Sequence, residues 1–143
     1  MRHTFAAILL ALGLVATACG DSGTSVFELA VGDCFNDEDL EAEVITDVPT
    51  VPCSEPHDNE IYYEFTMTDS VYPGRDAAFD TADQRCLEQF EAFVGIDYFE
   101  SDLDLFSIVP TAESWAEGDR GSLCAVYAVD LSKLTGSMRG AAR

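Results

Sequence analysis

The chain has 143 residues, 24% of them charged, with 27 Asp and Glu against 7 Lys and Arg for a formal charge of −20. That length suffices for one domain with its own core. The surplus of negative charge argues against nucleic acid as a partner, because phosphate binding needs the opposite sign, and it sets the surface against anionic lipid. Such acidity reads plainly as a solvated or salt-adapted surface, and more sharply as a face for a cation or a basic partner.

Residues 1–18 read as a signal peptide. Met1-Arg2-His3 is a basic head, and Phe5 to Val15 is an apolar run too short for a comfortable membrane span. Ala16-Thr17-Ala18 then places small residues directly before Cys19. This is similar to a bacterial lipoprotein signal, in which the cysteine is acylated and becomes the mature N-terminus. The expectation is a protein held by lipid on the extracytoplasmic face of the cell membrane, since two or more acyl chains anchor stably. The rival is an ordinary secretory leader that leaves Cys19 as an incidental thiol. All 27 acidic residues follow Cys19, against six of the basic ones, so the mature charge is 6 − 27 = −21. Four cysteines remain, an even number that suits an oxidising compartment.

Residues 19–26 form a polar Gly/Ser linker, and the domain is expected over 27–134. Phe27, Leu29 and Val31 alternate before a turn at Gly32-Asp33. Asn36 to Glu43 reads as an acidic loop. Val44 to Val51 is β-branched, but Pro49 and Pro52 demote it to an edge strand. Glu60 to Thr68 is the clearest strand, with Ile61, Tyr63, Phe65 and Met67 expected on a core face and the alternate residues on a wet one. Ala77 to Val94 is the main helix, N-capped by Asp76 and stopped by Gly95, with Phe79, Ala82, Cys86, Phe90 and Phe93 on one stripe. Leu103 to Val109 and Leu123 to Leu131 are two more strands. The second is apolar on both faces and belongs centrally, under the helix. Pro110 to Gly121 reads as a loop carrying Trp115, and 135–143 as a flexible tail. The pattern predicts an α+β fold, one main helix on a mainly antiparallel sheet.

We pair Cys34 with Cys53 and Cys86 with Cys124, although four cysteines allow three connectivities. Loops of that length make each bridge worth about 3–4 kcal/mol. Zinc is the competitor, but closely spaced ligand pairs are missing, and no metal or cofactor is assigned. His57, held between Pro56 and Asp58, could act with Asp58 and Glu60 as an acid–base pair or a metal site, or bond backbone at the turn. No serine or cysteine nucleophile has a recognisable setting and no phosphate loop is present, so the reading is not enzymatic. Trp115 is either a recognition anchor or a plug for the open end of the sheet. Arg120 is expected to pair with Asp119 or Glu117.

The motifs Val31-Gly32-Asp33-Cys34-Phe35, Val51-Pro52-Cys53-Ser54-Glu55-Pro56-His57-Asp58-Asn59-Glu60, Cys86, Trp115 with Gly118-Asp119-Arg120, Cys124 and Thr135-Gly136-Ser137 together resemble the septum formation domain family of actinobacterial envelope proteins. The resemblance spans almost all of the mature domain. It implies an extracytoplasmic protein attached to the membrane by a helix or a lipid, and a link to cell division, but brings no chemistry and no ligand. The expected function is a binding or accessory module of the envelope with an envelope protein as partner. Its candidate surface joins Glu55, His57, Asp58 and Glu60 to Trp115 and Arg120. The alternatives are a metal-assisted hydrolase using His57 and nearby carboxylates, and a purely structural lipoprotein.

Overall fold

A computed structural model describes residues 24–25, 28–37 and 47–143. The signal peptide, Cys19 and most of the acidic loop lie outside the described residues. Seven strands and two α-helices follow in chain order: β1 Thr24–Ser25, β2 Cys34–Phe35, β3 Asp47–Val48, β4 Thr50–Val51, β5 Asn59–Thr66, α1 Arg75–Val94, β6 Leu103–Ile108, α2 Ala112–Ala116 and β7 Gly121–Ala128. Five strands form one antiparallel sheet in the order β4-β2-β5-β7-β6, while β1 and β3 make a separate pair. The fold is α+β with one main helix, as its sequence pattern predicts.

Helix α1 lies on one face of this sheet and buries Ala78, Ala82, Cys86, Phe90, Phe93 and Val94. Its partners include Tyr62, Leu103, Val126 and Ala128. Both predicted disulfides form, and Cys86–Cys124 staples the helix to β7. Gly95 ends α1 at φ 91°, a left-handed cap that a side chain would strain. The start differs from expectation: Gly74, not Asp76, is the N-cap, and Asp76 sits in the first turn, where a carboxylate meets the positive end of the helix dipole. Phe79 is only half-buried. The first turns pack instead through Ala78 and Ala82 in a cluster with Met67 and Trp115, small side chains that leave room for the indole.

The other face is covered too. Leu29, Phe35 and Val48 pack on Ile61 and Ala125 there, which explains why β7 is apolar on both sides. The expectation that β5 has one core face and one wet face is therefore corrected, and a β-bulge supplies the detail. Ile61 pairs with Ala125 but Tyr63 pairs with Cys124, so Tyr62 is the extra residue. One inserted residue exchanges the faces. Ile61 points away from α1, whereas Tyr62 joins the helix-side core and Tyr63 and Phe65 pack at its margin. The buried Tyr62 hydroxyl donates to the Cys86 carbonyl at 2.6 Å. Segment 44–51 does supply an edge, since β4 ends the sheet.

Residues 135–143 are no flexible tail. Leu134 is fully buried and Met138 nearly so. Gly140 and Ala142 N–H donate to the Phe93 and Val94 carbonyls at 2.8 Å, satisfying acceptors that a helix end otherwise leaves open. The Arg139 guanidinium sits 4.6 Å from the Phe93 ring centre, and Arg143 pairs with Asp102 at 2.9 Å. The segment is a clasp across the end of α1 and the start of β5.

Candidate functional site

The turn before β5 and the clasp together build a buried polar centre. Glu55 N–H closes a turn on the Pro52 carbonyl at 2.8 Å. His57 and Leu134 then exchange both backbone bonds, at 3.0 and 2.7 Å, as an isolated bridge. Gly136 donates to the Cys53 carbonyl at 2.6 Å from a φ of 85°, a conformation open to glycine at little cost. His57 is 0% exposed, and its Nδ1–H donates to the Glu55 carbonyl at 2.8 Å, while Nε2 is buried with no hydrogen-bond partner. Glu60 is 1% exposed and faces Cys34 across β2. Its Oε1 accepts from Ser137 Oγ and its Oε2 from Met138 N–H, both at 2.6 Å. Charged acceptors make such bonds strong, and two of them offset much of the cost of burying the carboxylate.

A His57 ring nitrogen, Cys34 Sγ and a Glu60 carboxylate oxygen lie within 4.8 Å of one another. Cys34 is bonded to Cys53, however, and metal ligation needs a thiolate. Asp58 stands outside this centre. It accepts from Lys133 Nζ at 2.7 Å and from Asp37 N–H at 2.9 Å. Burial pushes its carboxyl up, but the bonds from Lys133 and Asp37 outweigh that and hold it below the ordinary carboxylate range. The Glu55 side chain is exposed, and the centre uses its carbonyl rather than its carboxylate.

Trp115 and Arg120 are elsewhere. Trp115 packs with Met67 just beyond the far end of β5, and seven residue steps from Glu60 amount to roughly 23 Å. The two halves of the expected binding surface do not meet. Trp115 is 6% exposed and sits on α2, where the sequence reads as loop. Thr111 and Ser114 form a reciprocal capping box at its start. The Arg120 guanidinium lies 3.7 Å from the Trp115 ring centre and donates to the carbonyls of Trp115 and Asp119. The expected carboxylate pairing of Arg120 is thus replaced by stacking and carbonyl contacts. The Asp119 carboxylate is held instead by Ser114 Oγ and Gly121 N–H.

An accessible feature among the described residues is an open groove of about 410 Å³ between α1 and β6, lined by Phe79, Asp83, Leu87, Tyr98, Leu105 and Phe106 among others. Phe99 beside it is 84% exposed. Asp104 organises the neighbouring edge. It accepts from Tyr98 OH at 2.5 Å, Tyr127 OH at 3.0 Å and Leu105 N–H at 2.8 Å. Burial pushes Asp104 up, yet these bonds carry it below the usual range, and the Asp104 contact raises Tyr98 to about 12. Ser101 Oγ accepts from Leu103 N–H, so local side chains occupy two N–H groups of β6. That blunts an end strand against pairing with another sheet.

The sequence reading misses Ser137 and Met138, the partners of Glu60. The readable signal is a glutamate at the start of the clearest strand with no cation near it in sequence, followed much later by Thr135-Gly136-Ser137. It also misses the groove, which exists only once α1 and β6 are side by side. Among the described residues, no helix is long and apolar enough to cross a membrane. No curated protein and no solved structure matches the chain significantly. Residues 31–143, from the turn before Cys34 through the whole clasp, match the family described as Septum formation, and the chain belongs to that family.

Proposed function

We propose that the chain is a non-enzymatic accessory module of septum formation, anchored through Cys19 on the extracytoplasmic face, that binds an envelope protein. The observation that carries this reading is the sealing of the polar centre. His57 and Glu60 could act on a substrate only if one reached them, and both are inaccessible beneath the clasp. What the molecule offers outward is an acidic surface and the α1–β6 groove, which Asp83 lines and to whose lining residues the exposed Asp80, Asp97 and Glu100 are neighbours in sequence. An apolar residue flanked by Lys or Arg on the partner complements that face, with charge steering the encounter and the groove holding it.

A fluorescent fusion in dividing cells tests the reading. The wild type concentrates at the septum. A Leu87→Ser, Phe99→Ser variant, altered only at exposed positions, spreads along the envelope with its melting temperature unchanged. Cys19→Ser leaves the membrane fraction. Uniform distribution of the wild type, or undisturbed septal focus in the groove variant, overturns the proposal.

A further inference from the structure

The Cys34–Cys53 bridge closes over donors that a disulfide leaves unused. Nδ1–H of His57 is committed to the Glu55 carbonyl, so the neutral tautomer that this bond selects carries its lone pair on Nε2. That lone pair is buried and unpartnered, a costly state for a polar atom. The same side chain belongs to the cluster in which a His57 ring nitrogen, Cys34 Sγ and a Glu60 carboxylate oxygen lie within 4.8 Å of one another. Cys53 Sγ is covalently attached to the same place. A carbonyl holding the far nitrogen of an imidazole is the usual outer arrangement of a metal-bound histidine. Glu60 is suited as well, because each of its oxygens keeps a second acceptor position while Ser137 and Met138 orient the carboxylate.

We propose that Cys34, Cys53, His57 and Glu60 form a redox-gated Zn²⁺ site, closed by the disulfide and opened by a dithiol. Cys53 is a partly exposed residue and Cys34 is fully buried, so attack comes at Cys53. A dithiol thiolate bonds to Cys53 Sγ, the S–S bond breaks, and its electron pair leaves on Cys34 Sγ. The second thiol then displaces Cys53, which leaves the dithiol oxidised to its own disulfide and both cysteines reduced. Zn²⁺ takes the two thiolates with release of two protons. Two thiolates, an imidazole and a carboxylate make a four-donor set of the kind zinc binds tetrahedrally. Exchange with the disulfide form of such a dithiol, which takes up the two electrons, re-forms Cys34–Cys53 and returns the site to two donors, too few to hold the ion.

The test uses the full chain with Cys19→Ser in mild detergent, reduced with dithiothreitol, freed of reagent under argon and titrated with Co²⁺. The reduced protein is expected to bind one Co²⁺ with thiolate charge-transfer and tetrahedral visible bands that Zn²⁺ displaces, and the unreduced protein to show neither. His57→Ala is expected to weaken binding by about a hundredfold. A Cys34→Ser, Cys53→Ser variant, which keeps Cys86–Cys124, is expected to abolish the charge-transfer band. Absence of thiolate bands in the reduced wild type, their persistence in the double variant, or unchanged affinity in His57→Ala overturns the proposal. If reduction unfolds the chain, Zn²⁺ restores its near-ultraviolet circular dichroism, and failure to restore it is equally fatal.

Discussion

The two ends of β5 solve the same problem in opposite ways. Each end must satisfy polar side chains where the sheet runs out. At the Glu60 end the partners come from 77 and 78 residues away, on the clasp. At the Met67 end they are local: Arg120 reaches the Trp115 carbonyl five residues back, and Ser114 reaches Asp119 over the same separation. The first arrangement ties the last residues of the chain to its central strand and depends on the whole fold. The second is a self-contained turn that only needs the sheet to lean on. Loss of the distant partner should therefore be felt globally, and loss of the local one in proportion to the area uncovered.

Deleting residues 134–143 is the severest way to break the comparison. It removes two buried side chains, Leu134 and Met138, each worth about 2–5 kcal/mol by analogy with large-to-small core changes. It also leaves the Glu60 carboxylate buried without donors. A domain typically holds about 5–15 kcal/mol in all, so the truncated chain is expected to lose about 5 kcal/mol or more in urea unfolding and to be largely unfolded at 37 °C. A midpoint unchanged from the full chain would return this segment to the loose tail that its composition suggests.

The local end should break less. Trp115→Ala uncovers one large side chain packed on Met67, Ala78 and Ala82, an expected loss of about 3–5 kcal/mol. Arg120→Ala removes a half-exposed cation from the ring face and should cost about 0.5–1 kcal/mol. From sequence alone Trp115 is either a recognition anchor, whose removal would spare stability, or a plug for the open end of the sheet, whose removal would not. Thermal melts decide between the two, because a fall of less than about 3 °C in Trp115→Ala would not fit a core tryptophan.

What was legible in the sequence follows the same division. Helix α1, its glycine cap and the inward Cys86 can be read from a 3.6-residue stripe, and β7 from its apolar character on both faces, because these signals lie within one element. The disulfide partners can be chosen because each joins neighbouring elements. The clasp could not be read this way. Lys133 to Arg143 is short and rich in small and polar residues, with only Leu134 and Met138 large and apolar, and its order comes from bonds to His57, Glu60, Phe93 and Val94 far upstream. The bulge at Tyr62 was hidden for a related reason: strict alternation in β5 predicts one face, and only pairing with β7 shows where the extra residue falls. His57 and Glu60 stand out correctly as unusual, and His57 does bond backbone at the turn, as one of its readings expects; only their inclusion in an exposed binding surface fails, since both are buried and an acidic chain makes any carboxylate look exposed.

The finest distinction between the two ends is electrostatic. Lys133, at the root of the clasp, bridges Asp58 to Asn36, and its bond to Asp58 helps keep that carboxyl below its ordinary value of 3.8. A carboxylate depressed in the folded state adds stability that is fully present above its unfolded pKa and is lost as pH falls through the folded one. The clasp should therefore loosen below about pH 4. Because the lysine is half-exposed, the effect belongs in the range of about 0–1 kcal/mol. Melting temperatures of wild type and Asp58→Asn, followed from pH 6 to pH 2, should converge at the acid end while the other carboxylates act on both alike. Hydrogen exchange should show the Leu134 and Gly136 amides opening before those of Trp115 and Glu117. Curves that stay parallel throughout would mean that the Lys133–Asp58 pair contributes nothing to holding the clasp, which would then rest on its other contacts, the buried side chains, backbone bonds and Glu60 bonds among them.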